Sequence, residues 1–400
     1  MTYDVERVRS WFPALADGTA FFDGPGGSQT PQQVADAVAG ALVGGLANRG
    51  RVTAAERRAD DVVTGARAAV ADLLGADPGG VVFGRSMTAL TYELTRTLAA
   101  GWAEGDEVVV TRLDHDSDIR PWVQAAARTG VTVRWAEFDP RTGELPVAAV
   151  TGLLGPRTRW VAVTGASNLI GTRPDVAAIS AAAHAAGAQV FVDGVHLTPH
   201  ALVDTVALGA DVFACSPYKW LGPHLGVLVA TPALLETWHP DKLLPSSDAV
   251  PERFELGTLP YELLAGTTAA VDVLADLAPD ARGSRRERLT ASYAALEEHE
   301  SALFARLLDG LAGLDHVTLH GAPVHRTPTA LFSVAGHTGA EVHAALAARG
   351  VNAPAGSFYA LEASRALGLG DTGAVRAGLA PYSSAGDVDR LLAHVATMRR

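Results

Sequence analysis

Short apolar runs alternate with longer mixed segments through the first two thirds of the chain. Such runs, bounded by turn residues, indicate buried strands. Seven runs predict strands, at Val81–Phe83, Glu107–Thr111, Val131–Phe138, Arg159–Thr164, Gln189–Asp193, Val212–Ala214 and Gly226–Ala230. Other segments predict helices, at about 87–99, 118–129, 146–154 and 174–187. Strands that alternate with helices favour a mostly parallel seven-stranded sheet that is covered by helices on both faces.

Capping residues mark where the first two helices begin. Thr30-Pro31 predicts a helix that runs to about residue 44, with the threonine as its cap and the proline at its first helical position. Thr53 and Glu56 form a capping box for a second helix that ends near Gly75. Both helices precede the first predicted strand of the sheet.

The pattern changes after about Gly266. The later elements are a long helix at about 285–313, strands near His316–Leu319 and Ala330–Val334, and helices that begin at the capping pairs Thr338/Glu341 and Ser384/Asp387. They predict a smaller C-terminal α/β domain, and no low-complexity linker separates it from the large one. We therefore expect an N-terminal segment (1–30) that packs with the small domain, a large domain (31–265) and a small domain (266–400).

Composition and charge exclude several classes of protein. The 400 residues are 48% hydrophobic, which is enough for a large core and a smaller one. The net charge of −12, from 32 basic and 44 acidic residues, argues against a nucleic-acid partner. We expect a cytoplasmic protein without a membrane partner, because the N-terminus resembles no targeting signal and no apolar run reaches about 18 residues. The single cysteine, Cys215, excludes a disulfide within the chain, and no metal site is predicted.

Three polar segments follow predicted strands, at the edge where open α/β sheets bind ligands. Arg85–Thr88 precedes a helix whose first amides suit a phosphate, although alone it is better explained as a plain strand-to-helix turn. Asp193 ends an apolar strand and is either a ligand partner or a helix cap, because a buried acid is costly unless it is paired. Lys219 lies between aromatic residues in Ser216–Pro223, where desolvation would lower its pKa, although most loop lysines are solvated.

Taken together, these segments match the needs of pyridoxal 5'-phosphate (PLP). PLP requires a lysine for its Schiff base, a carboxylate at its pyridine nitrogen and a cradle for its phosphate. Lys219 follows Asp193 by 26 positions, with one predicted strand between them. Further motifs follow in order: Phe21–Gly27, Asn48-Arg49-Gly50, Asp114–Ile119 with Pro121-Trp122, Ser167–Thr172, Arg253–Glu255 with Gly257-Thr258, and Arg376 before Leu379 and Tyr382-Ser383. With these motifs the chain resembles the fold-type I PLP enzymes of the class V aminotransferase group, and among them the cysteine desulfurase-like proteins of the SufS and selenocysteine lyase branch.

The resemblance implies a role for each motif residue. The implied catalytic residues are Lys219 as Schiff-base lysine and base, Asp193 as the acid at the pyridine nitrogen, and His115 as the ring stacked on PLP. The other implied cofactor-binding residues are Met87, Thr88, Asn168, His196, Ser216, Tyr218 and, across a homodimer interface, Thr258. The implied substrate-binding residues are Arg376, for an α-carboxylate, with Asn48 and Arg49. Taken singly, His115, Asn168 and Arg376 also suit a loop cap, a turn and a surface ion pair.

The chain departs from the desulfurases at their catalytic cysteine. Those enzymes take up sulfur as a persulfide on a cysteine in a small-domain loop. The matching segment here, Gly350–Ala360, contains no cysteine, and Cys215 ends a predicted buried strand beside Lys219. We therefore expect an amino acid to react through an external aldimine and an α-carbanion, with β-elimination from a cysteine-derived substrate (C–S lyase chemistry). Transamination by a class V aminotransferase and epimerisation use the same base and stay open.

Two alternatives come from other classes of protein. A non-catalytic binding protein with the PLP fold would explain the missing cysteine. It would not explain why Lys219, Asp193, His115 and Arg376 are all retained together. A dinucleotide enzyme of the Rossmann type would need a Gly-x-Gly-x-x-Gly turn after its first strand, and the chain lacks one.

Overall fold

The computed structural model describes residues 3–398, which form three β-sheets flanked by helices. The strands are β1 (Ala20–Phe21), β2 (Val81–Gly84), β3 (Glu107–Thr111), β4 (Thr132–Ala136), β5 (Thr158–Thr164), β6 (Gln189–Asp193), β7 (Val212–Cys215), β8 (Gly226–Ala230), β9 (Val317–His320), β10 (Thr329–Val334), β11 (Val351–Asn352), β12 (Ala355–Gly356) and β13 (Ala374–Gly378). The helices are α1 (Val5–Arg9), α2 (Gln32–Val43), α3 (Ala54–Leu74), α4 (Met87–Ala99), α5 (Arg120–Thr129), α6 (Val147–Thr151), α7 (Val176–Ala185), α8 (Pro232–Leu235), α9 (Tyr261–Ala275), α10 (Arg285–Ala312), α11 (Gly339–Ala347), α12 (Leu361–Ala366) and α13 (Ala385–Thr397).

The large sheet contains the seven strands predicted for the first two thirds of the chain, in the order β2-β8-β7-β6-β5-β3-β4. β8 runs antiparallel to both of its neighbours, and the other pairs are parallel. In β6, Val190 and Val192 pack into one core while Phe191 packs into another. Because successive strand side chains point to opposite faces, both faces of this sheet are covered. The mostly parallel, doubly covered sheet is confirmed.

A smaller α/β unit lies in the C-terminal third. Its four-stranded antiparallel sheet has the order β12-β13-β10-β9, and buried residues of α10, α11 and α13 complete a separate core. The N-terminal strand joins this unit, since β1 pairs in parallel with β11 and places Ala20 opposite Val351. Phe22, directly after β1, is buried in the same core.

Helix α9 is missing from the predicted elements. Its buried residues, among them Leu264 and Val271, pack in the large core against α2 and α3. The boundary predicted at residue 265 therefore falls inside a continuous helix. The division into 1–30, 31–265 and 266–400 remains a prediction.

Helix starts follow the predicted caps with one exception. Both reciprocal hydrogen bonds of the capping box are present at the predicted starts of α3, α11 and α13. The predicted start of α2 was wrong by one residue. Pro31 has ψ 153° and is the extended cap itself, so the helix begins at Gln32 and Thr30 does not cap it. Within residues 3–398, no helix is both long enough and apolar enough to span a bilayer.

Candidate active site

The carboxyl ends of β5, β6 and β7 open onto a cavity with about 420 Å³ of space free of protein atoms. Open α/β sheets bind their ligands at this edge. Its lining residues are Met87, Thr88, His115, Ser117, Thr164, Ala166, Asn168, Asp193, Val195, His196, Ser216, Tyr218 and Lys219. The structure thus brings together all predicted cofactor-binding residues except Thr258. Four lining residues are missing from the prediction: Ser117, Thr164, Ala166 and Val195.

Lys219 ends a short 3-10 turn that follows β7. Its side chain is largely enclosed, and Nζ donates a hydrogen bond to the carbonyl of Pro25. Burial lowers the pKa of Lys219 to about 7; the charge of Arg376 lowers it further, and Asp193 opposes the shift. A substantial share of this lysine is therefore the free amine at neutral pH, the form that acts as nucleophile or base.

Asp193 is the last residue of β6 and is buried. Its Oδ1 accepts a hydrogen bond from the amide of Val195 at 2.9 Å. Burial raises the pKa of Asp193 to about 6, while that hydrogen bond and the charge of Lys219 counter the rise. The next residue must be glycine, because a Cβ at Gly194 would lie 1.8 Å from the ring of Phe213. At neutral pH the carboxylate is mostly ionised and suits a cationic partner.

Two further carboxyl groups are buried beside Asp193. Asp114 Oδ1 accepts a hydrogen bond from the amide of Thr164 at 2.9 Å, and Asp118 Oδ1 accepts one from Trp122 at 3.4 Å. Burial raises the pKa of both well above its usual value, and the charge of Asp193 adds to each rise. Burial therefore disfavours the ionised form of both Asp114 and Asp118.

His115 presents a neutral ring to the cavity. Burial lowers its pKa to about 3, and the charges of Lys219 and Arg376 lower it further. The backbone amide of Ser117 donates to Nδ1 at 3.1 Å, and Ser117 Oγ lies 2.7 Å from the same atom. Because Nδ1 accepts, the ring proton lies on Nε2. A neutral, oriented ring suits stacking on a planar cofactor.

Asn168 and His196 carry polar atoms that have no partner within residues 3–398. Asn168 Nδ2 donates to the carbonyl of Phe358 at 2.9 Å, while its Oδ1 has no partner. His196 Nε2 contacts the hydroxyls of Thr329 and Thr327 at 2.9 and 3.0 Å, and its Nδ1 has no partner. Buried polar atoms are almost always hydrogen-bonded, so these two point to a polar ligand in the cavity.

The start of α4 faces the same cavity. The side chain of Ser86 caps the helix by accepting from the amide of Ala89 at 3.1 Å. Helical geometry leaves the amides of Met87 and Thr88 without intrahelical partners, at the positive end of the helix dipole. β8 passes very close by, and a Cβ at Gly226 would lie 2.2 Å from the carbonyl carbon of Ser86. This turn suits a phosphate.

Arg376 lies on β13 and is buried, with 1% of its surface exposed. Its Nη1 donates to the carbonyl of Asn168 at 2.7 Å, and the ring of Phe358 covers its guanidinium at 3.7 Å. Within residues 3–398 it forms no salt bridge, and its Nε has no partner. Burial lowers the pKa of Arg376 to about 9, although the charge of Asp23 opposes this. An unpaired buried cation is costly, so this arginine points to an anionic ligand.

Comparison with known proteins decides the family. The model of the family described as aminotransferase class-V matches residues 20–391. The chain belongs to the class-V aminotransferase family. An uncharacterized protein of Mycobacterium tuberculosis is 37% identical over the full length of both chains. A probable cysteine desulfurase of Pseudomonas aeruginosa is 33% identical and covers 96% of this chain and 95% of its own. The crystal structure of the cysteine desulfurase CsdA from Escherichia coli has a TM-score of 0.86 at 26% identity, over 99% of this chain and 98% of that one.

This class-V aminotransferase family member is therefore a PLP-dependent enzyme of fold type I, as the resemblance implied. The residues present fit the cofactor. Lys219 would hold it covalently, Asp193 would pair with its pyridine nitrogen, and the amides at the start of α4 would hold its phosphate. The partnerless atoms of His196 and Asn168 match its polar ring substituents. When bound, PLP withdraws electrons from the α-carbon of an amino acid.

Arg376 of this class-V enzyme does not itself line the cavity, but it donates to the carbonyl of Asn168, which does. Three other predicted site residues lie away from the cavity within a single chain. Thr258 and Asn48 are exposed. Arg49 pairs with Asp60 and Glu252, both at 2.8 Å, so its side chain is engaged elsewhere. A role for these three residues in the site would need a second subunit, and it stays a prediction.

Proposed function

We propose that this class-V enzyme cleaves the Cβ–S bond of a cysteine-derived substrate by β-elimination, without a persulfide on the protein. An S-substituted cysteine and water would give a thiol, pyruvate and ammonium. The α-proton goes to the amine of Lys219, and the electron pair of the broken Cβ–S bond leaves with the sulfur as a thiolate. Hydrolysis of the remaining three-carbon enamine then yields pyruvate and ammonium.

The observation that carries the proposal is the state of Cys215, the one cysteine in the chain. Its side chain is fully buried at the end of β7. Burial raises the pKa of Cys215 to about 12, although contacts with Trp220 and Thr198 oppose the rise. A sulfur acceptor must be a thiolate that reaches the substrate and then an acceptor outside. Cys215 meets neither requirement.

The other groups needed for elimination are in place. The lowered pKa of Lys219 suits a base that works at neutral pH. The unpaired guanidinium of Arg376 suits an α-carboxylate, and it donates to the carbonyl of Asn168, a residue that lines the cavity. These features support an α-amino acid as the substrate. They are shared by transamination and epimerisation, so the products must decide between the reactions.

We also propose that the active enzyme is a homodimer. Large apolar side chains are exposed in the segment of the chain that leads to Thr258, with Leu243, Leu244 and Leu256 exposed by 68%, 97% and 58%. A soluble chain rarely leaves such a group of side chains uncovered. Covering them with a second copy would bring the segment that contains Thr258 into an interface, as the resemblance implied.

Product analysis tests the proposed reaction. The holoenzyme is incubated with S-methylcysteine, S-benzylcysteine and cysteine, and thiol, pyruvate, ammonium and alanine are measured. We expect equal amounts of thiol, pyruvate and ammonium, unchanged in Cys215→Ser and abolished in Lys219→Ala. Formation of alanine together with a persulfide on Cys215 would contradict the proposal and indicate a cysteine desulfurase. Amino-group transfer without thiol release would indicate an aminotransferase, and racemised substrate would indicate an epimerase.

A further inference from the structure

The segment from Ser357 to Ala360 has an unusual backbone, and it belongs to the stretch that the resemblance matched to the desulfurase cysteine loop. Phe358 and Tyr359 have φ of 52° and 60°, and both lie in the left-handed region. Within residues 3–398 the one other non-glycine residue in this region is Leu221, two positions after Lys219. Two consecutive bulky residues adopt this conformation only when their surroundings hold them there.

Hydrogen bonds from both sides of the cavity hold this segment. Asn168 donates from its side chain to the carbonyl of Phe358 at 2.9 Å. The amide of Asp116, next to His115, donates to the carbonyl of Tyr359 at 2.7 Å. The segment is therefore fixed to two of the loops that line the cavity, and it cannot swing outward without losing both bonds.

This backbone turns the ring of Phe358 onto Arg376. The centre of the guanidinium lies 3.7 Å from the ring centroid, which is a close cation–π contact. One hydrogen bond, from Nη1 to the carbonyl of Asn168, fixes the group at one corner, and Nε remains without a partner. The aromatic face thus fixes the plane of the guanidinium. A carboxylate partner would occupy the N–H groups of the guanidinium, whereas the ring of Phe358 leaves them free for an incoming anion.

We infer that Phe358 is a positioning residue that holds Arg376 ready for the α-carboxylate of the substrate. The inference rests on the proposed role of Arg376 in substrate binding, and it does not depend on which reaction follows. An aliphatic side chain at position 358 would still fill space. It would leave the guanidinium free to rotate and without the attraction of the ring, so binding would weaken for ligands that carry a carboxylate and for no others.

Two small ligands separate carboxylate recognition from general damage. Glycine has an amino group and an α-carboxylate but no leaving group, whereas methylamine has the amino group alone. Binding of each to the PLP-loaded enzyme is measured by absorbance and by calorimetry. For Phe358→Leu we expect the Kd of glycine to rise roughly tenfold, as loss of a desolvated cation–π contact implies, and that of methylamine to stay within about twofold. Phe358→Tyr, which keeps the ring, should bind glycine nearly as the wild type does.

Tyr359→Leu is the matched control, because it changes the neighbouring left-handed residue, which is 76% exposed and whose ring lies 5.5 Å from that of His115. We expect its glycine affinity to stay within about twofold of the wild type. Equal weakening of glycine and methylamine in Phe358→Leu, or no weakening of either, would overturn the inference. Arg376→Gln that binds glycine normally would overturn both this inference and the role of Arg376. A carboxylate-specific loss in an enzyme that releases no pyruvate would support the inference and reject the proposed elimination.

Discussion

At the scale of single residues, Lys219 is the group whose environment has the most direct chemical consequence. In its proposed role the amine of Lys219 attacks the aldehyde of PLP, which requires the unprotonated form. Burial and Arg376 lower its pKa to about 7, so the reactive form is lost as the pH falls below this value. The environment that lowers the pKa of this lysine should therefore also determine how the rate of PLP incorporation depends on pH.

We predict that PLP incorporation into the apoenzyme speeds up by about tenfold per pH unit below pH 7 and levels off above it. Stopped-flow absorbance between pH 5.5 and 8.5 measures the rate. In Arg376→Gln the midpoint of this pH dependence should move to higher pH, because a neighbouring positive charge is removed. In Asp193→Asn it should move to lower pH, because a neighbouring negative charge is removed. These opposite shifts separate the lysine from the titration of PLP itself. A rate independent of pH, with no shift in either variant, would contradict the assignment.

Asp193 provides the second prediction at this scale. Replacing it with asparagine keeps the size of the side chain but removes the charge that stabilises a protonated pyridine nitrogen. We expect Asp193→Asn to bind PLP and to eliminate thiol on the order of a hundredfold more slowly. PLP content is read from absorbance and the rate from pyruvate release. Near-normal turnover in a fully loaded variant would show that Asp193 does not pair with the cofactor.

At the scale of elements, a buried hydrogen bond between a histidine and a glutamate joins the segment after β6 to the long helix α10. His200, in the segment after β6, lies 2.9 Å from Glu300 on α10, and both side chains are less than 5% exposed. His200 also packs edge-on against His196, which lines the cavity, with 5.2 Å between ring centroids. This pair therefore fixes the segment that carries His196 against a helix of the second unit.

We predict that His200→Ala lowers the free energy of unfolding by about 1–3 kcal/mol, because it leaves a buried carboxylate without its partner. The matched control is His184→Ala, which removes a histidine 2.8 Å from Asp211 that is 44% exposed. An exposed pair contributes about 0–1 kcal/mol. Urea unfolding of the apoenzyme measures both changes. Equal losses in the two variants would mean that burial does not strengthen the His200 contact.

Elements with a clear hydrophobic pattern could be predicted from the sequence, and others could not. The central strands read as apolar runs because both of their faces are buried. Helix α9 has no comparable signal, since its buried face includes small residues such as Gly266 and Ala270. β11 and β12 have two residues each, too few for a period to appear.

The site could be predicted only as far as its motifs extend. Nine cofactor residues came from segments that resemble a family, whereas Ser117 and Thr164 had no signal beyond their proximity to His115 and Asn168. The conformation of Phe358 and Tyr359 could not be foreseen, because only distant contacts force bulky residues into the left-handed region.

At the scale of the whole molecule, the exposed apolar side chains near Thr258 predict an interface. We expect Leu244→Asp, which puts a charge on a side chain that is 97% exposed, to shift sedimentation toward the monomer and to reduce PLP content. Val206→Asp, at an apolar site that is 80% exposed but distant in sequence, is the control and should stay dimeric. A dimer that persists in Leu244→Asp, or a fully loaded wild-type monomer, would contradict the proposed interface.

The pairing of β1 with β11 also affects how the chain folds during synthesis on the ribosome. Phe21 pairs with Asn352, which is synthesised 331 positions later in the chain. At a synthesis rate of about 5–20 residues per second, the interval between these two residues is roughly 15–70 s. Pro25, which accepts a hydrogen bond from Lys219, comes four positions after the end of this strand. A nascent chain can therefore complete the large sheet while Lys219, the proposed Schiff-base lysine, still lacks one of its contacts. A polypeptide that stalls before residue 351 would leave the ribosome with an unfinished candidate site.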